Sequence, residues 1–140
     1  VARRGYPLSP SIREESGKIL FEGGHDGFCR LLGRPVHRRF VRLEESDTLE
    51  VKDQVAGQGT HLIESFIHLH PDVEMSFEAN GNGVLGLKGE KVFFEMWNFD
   101  SYQIEESFFC PEFGLKIPNK RIRMIKEGRL PLECGVRFKW

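Results

Sequence analysis

His68-Leu69-His70 places two imidazoles two residues apart. On an extended strand such residues point to one side, so both rings could converge on a single metal ion. The alternative is structural, with His68 satisfied inside a sheet and His70 closing the strand end, because Pro71-Asp72 follows at once. A second grouping is basic: Arg30, Arg34, His37, Arg38, Arg39 and Arg42 fall in one short stretch. Guanidinium groups grip carboxylates and sulfates through paired hydrogen bonds, so Arg30, Arg34, His37, Arg38 and Arg39 are candidates to bind an acidic polysaccharide. Their alternative is internal pairing with acidic strands, through residues such as Glu44, Glu50 and Glu64, each pair contributing about 0.2–1 kcal/mol. Nucleic acid is not expected as a partner, since Phe40 alone interleaves the arginines of the strand. His25-Asp26-Gly27 could set an imidazole beside a carboxylate, although Asp-Gly is first of all a turn. No G-x-S-x-G, nucleotide-binding glycine loop or H-E-x-x-H occurs, and no catalytic residue is assigned.

The elements that must position these groups read as short strands between turns, the pattern of an all-β antiparallel sandwich built of meandering hairpins. Gly33-Arg34-Pro35 divides an expected strand at 26–32 from one at 36–44. Glu45-Ser46-Asp47 and Gly57-Gln58-Gly59 then bracket strands at 48–55 and 60–70. Connections this short force antiparallel neighbours, because a parallel crossover needs a dozen or more residues. Asn80-Gly81-Asn82-Gly83 is a dense turn signal, and Lys88-Gly89 closes a hairpin between 84–87 and 91–97. Further strands are expected near 102–109, 120–126 and 131–139, with a loop at 111–119. On the strand from 36, Arg38 and Arg42 face one way and His37 and Arg39 the other. Leu49, Val51, Asp53 and Val55 alternate with polar residues, which puts Asp53 on the apolar face as a hydrogen-bonded structural carboxylate. The strand from His61 carries bulk on both faces, so it is expected to be central and covered on both sides. Residues 1–17 read as an irregular lead-in to a domain over 18–140, and Val1 as the boundary of a piece of something larger.

Composition agrees with sheets. Twelve Phe and fifteen Gly stand against three Ala, which disfavours a helical bundle. A chain of 140 residues can bury about two-thirds of its unfolded surface as one domain. No run approaches the ~18 apolar residues of a membrane helix, so no membrane partner is expected. The net charge of -1 hides a segregation: residues 1–42 carry +5, residues 43–112 carry -12, and residues 113–140 carry +6. Such blocks either form a polyanion-binding face or pair basic strands with acidic ones. Cys29, Cys110 and Cys134 are odd in number and lack C-x-x-C spacing, which speaks against a zinc ribbon or a disulfide framework.

Two resemblances bear on function. His68-Leu69-His70, Glu74 and Gly81 resemble much of the first motif of cupins, H-x-H-x(3)-E-x(6)-G, a family of small β-barrels. The sequence departs from it: Leu62 stands where a Gly belongs, and no His follows His70 to complete the site. The broader resemblance begins at His25-Asp26-Gly27-Phe28-Cys29-Arg30-Leu31 and Gly33-Arg34-Pro35-Val36-His37-Arg38-Arg39, a stretch similar to the HDGY-RL-G-P-VHRR string of heparinase II/III-like proteins. It continues through Val51-Lys52-Asp53, Gly57 to His61, Phe66 to Pro71, Pro111-Glu112-Phe113-Gly114 and Ile117-Pro118-Asn119. Phe28 and Cys29 replace the usual Tyr and Arg.

That resemblance implies the C-terminal β-sandwich of a polysaccharide lyase whose N-terminal part is a helical toroid. Such enzymes cleave uronate-containing glycans, of heparin or alginate type, by β-elimination: a base removes the C5 proton and an acid protonates the leaving oxygen. It further implies that the catalytic Tyr and His, and the ligands of a structural metal, lie upstream of the matched region. The expectations are therefore a domain that is inactive alone, holds no cofactor of its own, and has an acidic polysaccharide and the toroid as partners. A periplasmic or secreted bacterial protein is implied by the same resemblance. The rivals are a free-standing acidic-glycan-binding module and a cupin-like metal protein using His68 and His70.

Overall fold

The computed structural model describes residues 5–45 and 47–140. Eleven strands run through them: β1 (Pro7–Glu15), β2 (Lys18–His25), β3 (Val36–Glu44), β4 (Thr48–Ala56), β5 (Thr60–His68), β6 (Glu74–Phe77), β7 (Gly83–Leu87), β8 (Glu90–Trp97), β9 (Ser101–Phe109), β10 (Ile117–Arg129) and β11 (Leu132–Lys139). Every pairing is antiparallel. Eight strands form one sheet in the order β1-β2-β3-β4-β11-β8-β7-β6, and three form a second in the order β5-β10-β9. The chain is thus an all-β sandwich of unequal sheets, with β1–β4 and β6–β8 as meanders, as the spacing of turns predicts.

Apolar alternation decides where the sheets meet. Phe94, Ile122, Met124, Val136 and Leu69 are buried together, with Val51, Ile67, Met96 and Phe138 packed around them. The core therefore lies between the small sheet and the β4–β11–β8–β7 part of the large one. The β1–β3 wing extends past this cover, and Ile12, Ile19 and Phe21 on its inner face stay exposed. Gly135 shows how closely the strands pack: a Cβ there would sit 2.5 Å from the Val51 carbonyl oxygen and 2.6 Å from the Trp97 ring.

Three expectations fail. Pro7–Glu15, expected to be irregular, is β1, paired with β2 around an irregularity between Leu8 and Ser11. Residues 1–4 of that lead-in and Ser46 of the Glu45-Ser46-Asp47 turn lie outside the described residues. Residues 26–32, expected as a strand, form consecutive turns instead, with Cys29 N–H donating to Asp26 O and Leu31 N–H to Phe28 O. Their apolar residues imitate strand alternation, but Asp26-Gly27 breaks the ladder before they can join it. Finally, β5 is an edge strand rather than a central one. Its outer bulk is left in solvent, with Leu62 58% exposed.

Candidate functional site

Register on the large sheet builds an unusual polar cluster out of ordinary alternation. Across the inner face, Gly23, Arg39, Asp53 and Cys134 oppose one another in one row, and His25, His37, Val55 and Leu132 in the next. Asp53 stands where the β4 pattern calls for an apolar residue and is only 5% exposed. Arg39 answers it with a two-pronged pair, Nε to Oδ1 and Nη2 to Oδ2, both 2.8 Å. His37 Nε2 meets the same Oδ1 at 2.7 Å, and His37 Nδ1 lies 3.3 Å from His25 Nε2. The chain ends at the turn, where Gly27 N–H donates to His25 Nδ1 at 3.1 Å.

The electrostatics follow from this packing. Burial pushes the Asp53 carboxyl up, but hydrogen bonds from His37 and Arg39, with their charges, outweigh it and hold the group below the usual carboxylate range. The hydrogen bond to Asp53 raises Arg39 against its own burial. Burial, aided by the Asp53 charge, pushes the Cys134 thiol up to about 12, so this cysteine is a small apolar filler and not a nucleophile. All three cysteines are free.

This cluster forms one wall of a cleft of about 560 Å³. Opposite it runs the free edge of β5, where consecutive residues from His61 to Phe66 line the space, and His68 joins them. Phe28, Leu31 and Pro35 of the 26–35 loop close one end. Four of the five histidines therefore surround a single space: His25, His37, His61 and His68. Gly33 pins the loop there. Its φ of +83° suits glycine, and a Cβ would collide with the Gln58 carbonyl oxygen at 1.9 Å.

The basic run divides into engaged and unengaged members. Arg38 pairs with Glu22 at 2.7 Å, Arg39 with Asp53, and Arg42 with Glu44 and Glu50 at 3.0 and 2.8 Å. His37 has a partner on each ring nitrogen. Arg30 and Arg34 differ: both are exposed on the 26–35 loop, and among the described residues neither side chain has an ion pair or hydrogen bond. Phe28, Leu31 and Leu32, the last 94% exposed, lie beside them in sequence.

His68 and His70 find separate partners. His68 Nδ1 lies 3.4 Å from Ser107 Oγ; His70, past the end of β5, accepts from Asp72 N–H at 3.3 Å and packs against Phe109. Among the described residues no group of three His, Cys, Asp or Glu side chains is placed to hold a metal ion. The sheets also close no barrel, which removes the scaffold on which the cupin resemblance depends. Sequence reading identified His37 and Arg39 as one-faced and Asp53 as structural, but it missed the link to His25. Asp26-Gly27 marked the position as a turn, and the expected strand at 26–32 hid the register that sets His25, the last residue of β2, opposite His37 on β3.

A two-layer antiparallel sandwich, with a cleft that a buried polar cluster walls on one side, is the class of protein that fold and site define. Solved structures share this fold. Heparan sulfate lyase HepC from Pedobacter heparinus aligns with a TM-score of 0.79 at 13% identity, over 95% of this chain and 21% of that one. A HepC mutant from the same organism gives 0.76 at 11% identity, with the same coverage. Heparinase III, the BT4657 gene product with methylated lysines, gives 0.75 at 9%, again over 95% and 21%. The chain thus spans about a fifth of the length of these proteins, and at such identities the likeness is one of fold. No curated protein sequence matches it. The family model described as "Heparinase II/III-like, C-terminal" matches residues 2–140, and the chain belongs to that family.

Proposed function

We propose that this chain is the C-terminal β-sandwich of a polysaccharide lyase that cleaves uronate-containing acidic polysaccharide by β-elimination. In this reading the sandwich carries no catalytic group. It supports the substrate cleft formed with an N-terminal helical toroid of the same protein and presents positive charge to the glycan. The observation that carries the reading is the 26–35 loop, where exposed Arg30 and Arg34 alternate with exposed Phe28, Leu31 and Leu32, and from which Phe28 and Leu31 line the cleft. Free guanidinium groups beside apolar surface suit a sulfated or carboxylated sugar chain, whose anions need paired donors and whose ring faces need apolar cover. The uncovered β1–β3 wing, with Ile12, Ile19 and Phe21 exposed on its inner face, suits contact with a further domain. Of the five basic candidates, the reading keeps Arg30 and Arg34 as glycan contacts and gives His37, Arg38 and Arg39 to the framework.

A second reading, a free-standing acidic-glycan-binding module, draws on the same two arginines and differs in needing no toroid. The primary reading is tested by incubating the chain with heparin-type glycan, heparan sulfate and alginate, and following the ultraviolet absorbance of unsaturated uronate. No absorbance should develop with the isolated chain. Turnover approaching ordinary enzyme rates, about 1 per second or more, would place catalysis inside this domain and end the proposal.

A further inference from the structure

We propose that Asp53, His37, His25 and the Gly27 amide form a proton-sensitive latch that ties the 26–35 turn to the sheet at neutral pH and releases it on acidification. Gly27 N–H can only donate, so His25 Nδ1 must be bare and accept. A neutral His25 then carries its proton on Nε2 and donates it to His37 Nδ1. His37 in turn carries its proton on Nε2 and donates it to Asp53. Every ring nitrogen is used, and the direction of each bond is fixed by the two ends of the chain, an amide at one and an ionised carboxylate at the other.

A third proton cannot be fitted. Placed on His25, it sets Nδ1–H against Gly27 N–H. Placed on His37, it either sets two N–H groups against each other between the rings or forces His25 into the tautomer that faces Gly27 with a hydrogen. Asp53 does not absorb the proton first, because Arg39 and His37 hold its carboxyl below the usual range. Either broken link removes the side-chain tie between the turn and Asp53 on β4, leaving the backbone ladder of β2 and β3 in place.

The surroundings make the added charge tolerable and the response local. Besides Arg39 and Asp53, the titratable and charged groups around the two rings are Cys134 on β11, His61, Glu64 and His68 on β5, and Asp26 in the turn. Asp26 has its own anchor, its Oδ1 accepting from Tyr6 N–H at 2.6 Å, so the turn is held by the latch on one side and by Tyr6 on the other. Gly27 is suited to its place: a Cβ there would press on His25 Nδ1 at 3.0 Å. Acid release therefore frees Gly27 and the backbone leading to Phe28, while Gly33 keeps the far end of the loop against Gln58.

The test is nuclear magnetic resonance on the isotopically labelled chain, which requires no ligand and does not depend on the glycan-binding reading. At neutral pH both rings should carry their proton on Nε2, with Nδ1 bare. As pH falls through the imidazole range, about 8 to 5, protection of the Gly27 amide against exchange should drop at least tenfold after correction for intrinsic rates. The drop should follow the protonation of His25 and His37. It should vanish in His25→Gln and persist in the His61→Gln/His68→Gln double variant. An Nδ1–H tautomer on either ring, or Gly27 protection unchanged after both rings are protonated, overturns the latch. So does a pH response abolished by the His61/His68 change. The wild-type profile decides the matter even if His25→Gln fails to fold.

Discussion

Arg39 and Asp53 are unequal partners in one ion pair. The carboxylate is buried, whereas the arginine side chain is 46% exposed and can turn to water. Removing the arginine strands a buried charge with His37 as its remaining support; removing the carboxylate leaves a guanidinium that solvent can stabilise. Arg39→Met should therefore cost about 3 kcal/mol, in the range for breaking a buried pair. Asp53→Asn should cost less, about 1–2 kcal/mol, the loss of charge-assisted hydrogen bonds without a stranded ion. Urea denaturation of both variants measures the order, and a reversed order would refute the account of the pair. The pH dependence has a definite sign. The folded Asp53 lies below its unfolded value of about 3.9, so its contribution is complete above that pH and is lost as pH falls through the folded value. The stability gap between wild type and Asp53→Asn should close as pH falls below about 4, when the carboxylate takes up its proton.

At the scale of elements, period-two alternation made most strands legible, and it misled where other forces took over. The strands at 36–44, 48–55 and 91–97 are present to within a residue or so because turn residues bound them and, for the last two, apolar residues pack into the core under the small sheet. Phe28, Leu31 and Leu32 satisfy the same arithmetic without burial, so periodicity alone assigned a strand to a surface turn. The β5 edge was unreadable for a related reason. Bulk on both faces signals a covered strand, yet here Leu62 and Phe66 border an open cleft. Energetics should separate the two kinds of apolar residue. Phe94, 1% exposed and stacked edge-on with Phe77, should lose about 3–5 kcal/mol as Phe94→Ala. Phe28→Ala should stay within about 0.5 kcal/mol of wild type, as surface changes do. Similar losses from both would mean that the 26–35 loop belongs to the core.

Across the whole molecule, the segregated charge of the sequence is partly cancelled in space, by strands from different blocks meeting in the sheets. The acidic middle of the chain supplies Glu50 to Arg42 and Arg137, Glu64 and Glu105 to Arg123, Glu105 to Arg121, and Asp100 to Lys126. Internal pairing takes up about half of the described Lys and Arg side chains behind the +5, -12 and +6 blocks. Which arginines pair could not be read in advance, because it depends on strand order: β11 from the basic C-terminal block lies between β4 and β8 from the acidic block. Within the basic run from Arg30 to Arg42, Arg30 and Arg34 are left without an ion pair among the described residues, on the loop whose Phe28 and Leu31 line the cleft. The central claim is that these two arginines, and not the paired ones, meet an acidic glycan. The direct measurement is the affinity of the chain for a labelled heparin-type oligosaccharide over a series of salt concentrations. Affinity should fall with salt, drop at least tenfold in Arg30→Ala/Arg34→Ala, and stay near the wild-type value in Arg42→Ala and Arg121→Ala. Binding that survives the double change, or is lost in either paired-arginine variant, would contradict the account.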